Sequence, residues 1–200
     1  QRLAAADPGR LDPALLAISR HDLAQVVLRN GDLDRAATLL AQAQAFWQTD
    51  PKRWRSRLVE SRLLEAQVLK ARGKADDAVA LLRQGLEERI ALNGPDDHET
   101  GVFQNNLGVA LFGLGHGDEA REAFRAAAAI WRKTGLEETP DALNTLNNWG
   151  AMELAGGRAD SAEPLLRQAL ALRRWLYGPS AATAALLNNY GKLLLLSGRA

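Results

Sequence analysis

A period of 42 residues constrains this chain more than any other feature. Ala36, Ala78, Ala120 and Ala162 are spaced 42 apart, as are Gly31, Gly73, Gly115 and Gly157, and also Ala24, Ala66, Gly108 and Gly150. Bulky residues hold a further column at Leu40, Leu82, Phe124 and Leu166, and small ones another at Ala43, Gly85, Ala127 and Ala169. A unit that recurs at this length is one supersecondary element that cannot cover its own apolar face, so stacking on its neighbours is the folding reaction itself. The fifth copy, LLNNYGKLLLLSGRA, slips by one residue, with Gly191 where the period from Gly150 predicts position 192.

Local chemistry says that the repeated element is a pair of helices. Asp12-Pro13, Asp50-Pro51 and Thr139-Pro140 each offer a side-chain oxygen at the N-cap and a proline at the first helical position, where a missing N–H costs nothing. Asn93-Gly94-Pro95-Asp96-Asp97 and Tyr177-Gly178-Pro179-Ser180 combine a turn with a cap. Within each repeat the glycine column ends one helix, and Asp32, Asp76, Asp118 and Asp160 lie near the start of the next, where its dipole favours an acid. The spacing predicts about nine helices, over 13–29, 32–48, 51–71, 74–92, 97–113, 117–134, 140–155, 159–176 and 180–197. The fold class is all-α, with four full hairpins and the first helix of a fifth over 13–200, preceded by a linker or helix end over 1–12. Small residues in facing columns let the two helices of a hairpin approach closely.

The totals exclude several functions. With 25 basic and 24 acidic residues there is no global field of the kind that draws a protein to nucleic acid or to a membrane surface. The absence of cysteine removes disulfides and thiolate chemistry and fits a reducing, cytoplasmic setting. No apolar run approaches the roughly 20 residues of a membrane span. The chain starts at Gln1 and stops at Ser197-Gly198-Arg199-Ala200, inside what is elsewhere a turn, so it reads as a segment of a longer protein.

The leucine-glycine pair, the leucine or aromatic that follows it and the Ala-x3-Phe run, seen in the third repeat as Leu107, Gly108, Leu111, Ala120 and Phe124, resemble the tetratricopeptide repeat. The long unit and the wording LNGPDDHETGVFQNNLG, LNNWG and LYGPSAATAALLNNYG resemble its kinesin-light-chain type, over essentially residues 13–200. The resemblance implies a right-handed superhelix of helical hairpins and a protein-binding scaffold. Glu65 and Glu153 depart from the pattern at apolar positions, which implies either a rotated helix or an acid reaching an exposed edge. Repeats one and two also lack the paired asparagines, so a peptide site carried over from the family belongs to the C-terminal half.

The sharpest constellation is the asparagine pairs Asn105-Asn106, Asn147-Asn148 and Asn188-Asn189. The resemblance places the first of each pair on the inner face, with Val102, Val109 and Phe112; with Asn144, Ala151 and Leu154; and with Ala185, Lys192 and Leu195. A carboxamide both donates and accepts, so a ladder of them can hold an extended peptide by its main chain while the apolar neighbours form pockets. The competing reading is that the asparagines bond one another within the superhelix, with Asn106, Asn148 and Asn189 the structural members. The expected partner-binding residues are therefore Asn105, Val109, Phe112, Asn144, Asn147, Leu154, Asn188, Lys192 and Leu195. Upstream, His21, Gln25, Leu28 and Arg29, then Leu63, Gln67 and Lys70, form a more basic inner face.

Other clusters have plainer explanations. Lys52, Arg53, Arg55, Arg57 and Arg62 would spread around a helix instead of lining a stripe, so nucleic-acid binding is not expected. Trp47 and Trp131 stand two periods apart, which argues for packing between hairpins. His21, His98 and His116 lack the spacing of a zinc site, and Gly113, Gly115 and Gly117 lack the Lys-Ser/Thr sequel of a phosphate loop. The chain is thus expected to be a non-enzymatic protein-binding module with no metal or cofactor. The alternative is a regulatory or dimerising segment of a larger enzyme, the nearest family setting being a bacterial serine/threonine kinase; a third reading is a structural spacer or oligomerisation unit, which implies a homodimer through helix 180–197.

Overall fold

The computed structural model describes residues 12–178 and 183–196, with side chains for all of these except 183–185 and 196. The expected linker over 1–12 lies outside this range apart from Asp12, as do Pro179, Ser180 and residues 197–200. Ala185 is described only as part of its helix. Among the described residues there are nine helices and no strand: α1 (Pro13–Arg29), α2 (Leu33–Trp47), α3 (Arg55–Ala71), α4 (Ala75–Asn93), α5 (His98–Gly113), α6 (Gly117–Thr134), α7 (Pro140–Ala155), α8 (Ala159–Tyr177) and α9 (Thr183–Leu196). The chain divides into two compact units, Gln1–Leu81 and Leu82–Ala200, the division falling within α4.

The caps do what their chemistry dictates. The Asp12 carboxylate accepts from the Ala14 amide at 2.8 Å, Asp32 from Arg35 at 3.2 Å, Asp97 from Glu99 at 3.0 Å, and the Thr139 hydroxyl from Ala142 at 3.3 Å. Gly31, Gly73, Gly115 and Gly157 sit at φ of 85°, 77°, 83° and 73°, the left-handed region that closes a helix C-terminus and that side chains with a Cβ avoid.

One helix start differs from expectation. Asp50-Pro51 does not open α3. The Asp50 carboxylate accepts from the Arg53 amide at 3.2 Å, and the Asp50 carbonyl accepts from Trp54 at 3.1 Å. This closes a separate turn that lays the Trp54 ring 5.7 Å from that of Phe46, and α3 then starts at Arg55. The proline bids for a helix start, and the aromatic pair takes the chain around once more before the helix runs.

In the first unit Ala24 of α1 packs with Leu40 of α2 and Leu64 of α3. The second unit repeats this with Phe124 and Leu166 over glycine. A Cβ on Gly108 would lie 2.9 Å from the Phe124 ring, and one on Gly150 would lie 2.7 Å from Leu166. The bulky column thus rests directly on the small column, and the ring of Phe124 takes the space that a Cβ on Gly108 would fill.

Trp47 and Trp131 are both fully buried. Trp47 packs with Ala17 and Ala43. Trp131 stacks over Gly101 of α5 and donates from its indole to Thr145 Oγ1 of α7 at 3.1 Å, joining one hairpin to the next.

Candidate functional site

The second unit brings α5, α7 and α9 together. A row of carboxamides crosses them. Asn148 Nδ2 donates to Asn105 Oδ1 at 3.2 Å, and Asn189 Nδ2 donates to Asn147 Oδ1 at 3.2 Å. The second asparagine of each pair therefore reaches back to the first asparagine of the preceding repeat. The same step occurs twice although the sequence slips by one residue, so the missing residue is taken up ahead of α9. Asn106 turns away and donates to the Val102 carbonyl at 2.9 Å.

These bonds occupy the oxygens of Asn105 and Asn147, while their Nδ2 groups have no hydrogen-bond partner among the described residues. Both side chains are half-buried, as is Val109, while Asn144 and Asn188 are exposed. Phe112 is 39% exposed at the end of α5, too open for a core aromatic.

Beside the row lies a depression of about 370 Å³, lined by Ala151, Leu154, Ala155, Asn189, Lys192 and Leu195. Leu154 is buried and forms its floor, whereas Leu195 is 68% exposed at its rim. Lys192 is exposed and has no ion-pair partner among the described residues. Of the expected site residues, Leu154, Lys192 and Leu195 share this lining; Asn105, Val109, Phe112, Asn144, Asn147 and Asn188 do not. Ala155 and Asn189 line it without having been expected to. The signal for Asn189 was its place one residue after Asn188, on a helix whose apolar stripe Leu193-Leu194-Leu195-Leu196 is too broad to fix a face.

The two acids in apolar slots have separate outcomes. Glu65 is half-buried and accepts from Gln44 Nε2 at 3.0 Å. Glu153 reaches no exposed edge, for it is 1% exposed. It accepts from Arg121 Nε at 2.8 Å, from Trp149 Nε1 at 3.0 Å and from Arg158. Burial works against its charged form, but the hydrogen bonds from Arg121, Arg158 and Trp149 outweigh it and hold the carboxyl below its ordinary range. The hydrogen bond from Glu153 likewise pushes the Arg121 guanidinium up, helped by Asp118. Arg121 and Trp149 thus accompany the substituted acid, and the helix is not rotated.

The upstream face is less basic than its sequence suggests. His21 is 7% exposed and stacks 5.6 Å from the Trp47 ring, so it belongs to the packing, and only Gln25, Arg29 and Lys70 stay exposed. In the basic cluster Arg57 pairs with Glu60 at 2.9 Å, and Arg53 lies 5.1 Å over Trp54. His98 bonds Asp141 at 3.0 Å, and no group of three or more His, Asp or Glu side chains among the described residues could hold a metal ion. No described helix is long and apolar enough to cross a membrane.

Comparison with known proteins identifies the repeat. Tetratricopeptide repeat family models match residues 60–134 and 141–200, and another matches residues 17–47. Comparison with curated proteins gives no match. Among solved structures, the chain is similar to BtubC (BKLC) from P. vanneervenii, with a TM-score of 0.76 at 22% identity over 94% of this chain and 75% of that one. It is similar to a putative kinesin light chain of Podosopora anserina with nearly identical TPR-like repeats, with a TM-score of 0.71 at 24% identity over 95% and 90%. A Rap protein complexed with Competence and Sporulation Factor gives 0.73 at 18% identity, over 95% of this chain and 55% of that one. At these identities the likeness speaks for the fold alone. The family models cover more than half of the sequence, and the hairpins, glycine turns and small-on-large columns are those of such an array: the chain belongs to the tetratricopeptide repeat family.

Proposed function

We propose that this protein binds a segment of a partner protein along the face built by α5, α7 and α9, as a non-catalytic module. Tetratricopeptide arrays are protein-interaction scaffolds, and the finer reading rests on one observation. The carboxamide row engages the oxygens of Asn105 and Asn147 and leaves their N–H groups without a partner among the described residues, and at Asn189 the row reaches an apolar depression. Such donors suit main-chain carbonyls of an extended segment, because they read backbone without regard to side chain. Asn144 and Asn188 extend the row of polar groups. Val109, Phe112, Leu154 and Leu195 offer apolar contact, and Lys192 supplies a cation for an acidic side chain or a terminal carboxylate.

The test is selection of binders from a random linear-peptide display library on the intact chain, followed by anisotropy with the labelled peptides. Asn105→Ala with Asn147→Ala should weaken binding about tenfold, the loss of two hydrogen bonds of ordinary net strength. Helicity should be retained, and Leu195→Asp should weaken apolar peptides further. Selected peptides that bind all three proteins equally would rule out this face.

A further inference from the structure

A second cleft in the same unit lies away from the asparagine row. It has a volume of about 380 Å³ and is lined by Glu137, Glu138, Gln168, Ala171, Leu172 and Trp175. Trp175 is 67% exposed, the opposite of Trp47 and Trp131, and its ring is open to a ligand. The repeat itself shows what this position is built to hold. One period earlier, positions 133 and 96 are occupied by Lys133 of α6 and Asp96 of the preceding connector, and these two form an ion pair. Their counterparts 42 residues on are Trp175 and Glu138. The connector acid is kept, but its cation is replaced by an aromatic ring. Arg132 approaches Glu137 at 3.7 Å, and Glu138 has no ion-pair or hydrogen-bond partner among the described residues.

The geometry points to this cleft as a docking site for a basic segment of a partner protein, with an arginine side chain seated against Trp175 and Glu138. The guanidinium takes the electrostatic place that Lys133 fills one repeat earlier. Its planar face suits the indole, its N–H groups suit the Glu138 carboxylate, and the Gln168 amide can accept a further donor. Lysine would satisfy the charge but not the flat stacking surface. The site is independent of the asparagine row and needs none of its residues.

The probe is a capped, fluorescein-labelled peptide with three arginines separated by glycine and serine, titrated at low salt into the intact chain. An otherwise identical citrulline peptide keeps the shape and removes the charge. The arginine peptide should bind, and the citrulline peptide should bind at least tenfold more weakly. Glu138→Gln should weaken the arginine peptide about twofold to fivefold, the range of one exposed ion pair. Trp175→Lys restores the ion pair of the preceding repeat within the chain, so it should abolish binding while leaving the melting temperature unchanged or raised. Asn105→Ala with Asn147→Ala should leave this titration unaltered. Equal affinity of the native, Glu138→Gln and Trp175→Lys proteins for the arginine peptide would overturn the proposal, as would absence of binding. Concentration-dependent self-association in sedimentation that Trp175→Lys removes would also overturn it, by giving the cleft to a second copy of the chain.

Discussion

The two units place the same columns in the same packing and close their polar groups in different ways. Trp47 in the first unit and Trp131 in the second stand two periods apart and are both shut away from water. Their indoles should meet equivalent hydroxyls, since Ser61 and Thr145 are also 84 residues apart. Thr145 Oγ1 donates to the Asp141 carbonyl at 2.9 Å and accepts from Trp131. Ser61 Oγ donates to the Leu58 carbonyl at 2.7 Å and accepts from Gln44 at 3.1 Å, and Trp47 Nε1 is left buried with no partner among the described residues. The misplaced acids repeat the contrast: Glu65 meets a neutral amide, and Glu153 meets two guanidinium groups and an indole. Apolar columns are set by the period, whereas polar closure is negotiated locally by whichever donors each repeat has acquired.

The largest effect that would break this contrast is at Glu153. Arg121→Ala should cost the second unit about 1.5–3 kcal/mol in a denaturant melt, because it removes one of the two guanidinium groups that hold a buried carboxylate and leaves Arg158 and Trp149 as its donors. Gln44→Ala in the first unit should cost about 1 kcal/mol, the loss of two half-buried hydrogen bonds from an uncharged donor. Replacing Arg121 and Glu153 together by leucine should recover most of the larger loss. If the double variant is as unstable as the single one, packing rather than charge is what Arg121 supplies.

Next in size is the tryptophan pair. Trp131→Phe forfeits a satisfied hydrogen bond and leaves Thr145 short of a donor, whereas Trp47→Phe removes an indole N–H that is buried without a partner. The first should therefore destabilise its unit by about 1–3 kcal/mol more than the second, read from paired denaturation curves. Equal losses would mean that the Trp131–Thr145 bond adds nothing net.

A similar cost is expected from Gly108→Ala, about 1–3 kcal/mol, since the new methyl would press on Phe124 at 2.9 Å. Phe124→Leu in the same chain should relieve it, recreating the Ala24–Leu40 arrangement of the first unit. A crystal structure of the double variant, or its melting curve, decides the matter.

The smallest effect is on the acid limb. Because the Glu153 carboxyl is held below its ordinary value, the unfolded chain takes up that proton first. The stability this group contributes is complete above the usual glutamate range, about pH 4.3, and is lost as the pH falls through the lower native value. Glu153→Gln should flatten that part of the second unit's pH–stability curve. An unchanged acid slope would show that other carboxylates carry it.

Periodicity made the hairpins, the glycine turns and the Trp47/Trp131 column legible, because backbone conformation and volume recur with the repeat. It did not reveal the Asp50–Trp54 turn, where Pro51 and Asp50 satisfy the rules for a helix start and a contact with Phe46 overrides them. Nor could it show that Glu153 is buried, since its partner Arg121 belongs to another helix and Arg158 to the turn that follows α7, and no repeated pattern links them. His21 occupies the position that Asn105 holds two periods later, and only the neighbouring Trp47 ring decides that it turns inward. The asparagine pairs were visible, but their division of labour was not. Which carboxamide bonds which depends on a register between helices some forty residues apart.

That register gives the row a polarity of its own. Each bond from one repeat to the next engages an oxygen and leaves an N–H, so Asn105 and Asn147 both present donors and neither keeps a wholly free acceptor. A strand laid along them is questioned only about its carbonyls. On the proposed reading, proline or N-methylated residues opposite Asn105 and Asn147, which surrender the amide hydrogen and keep the carbonyl, would pass that question unpenalised.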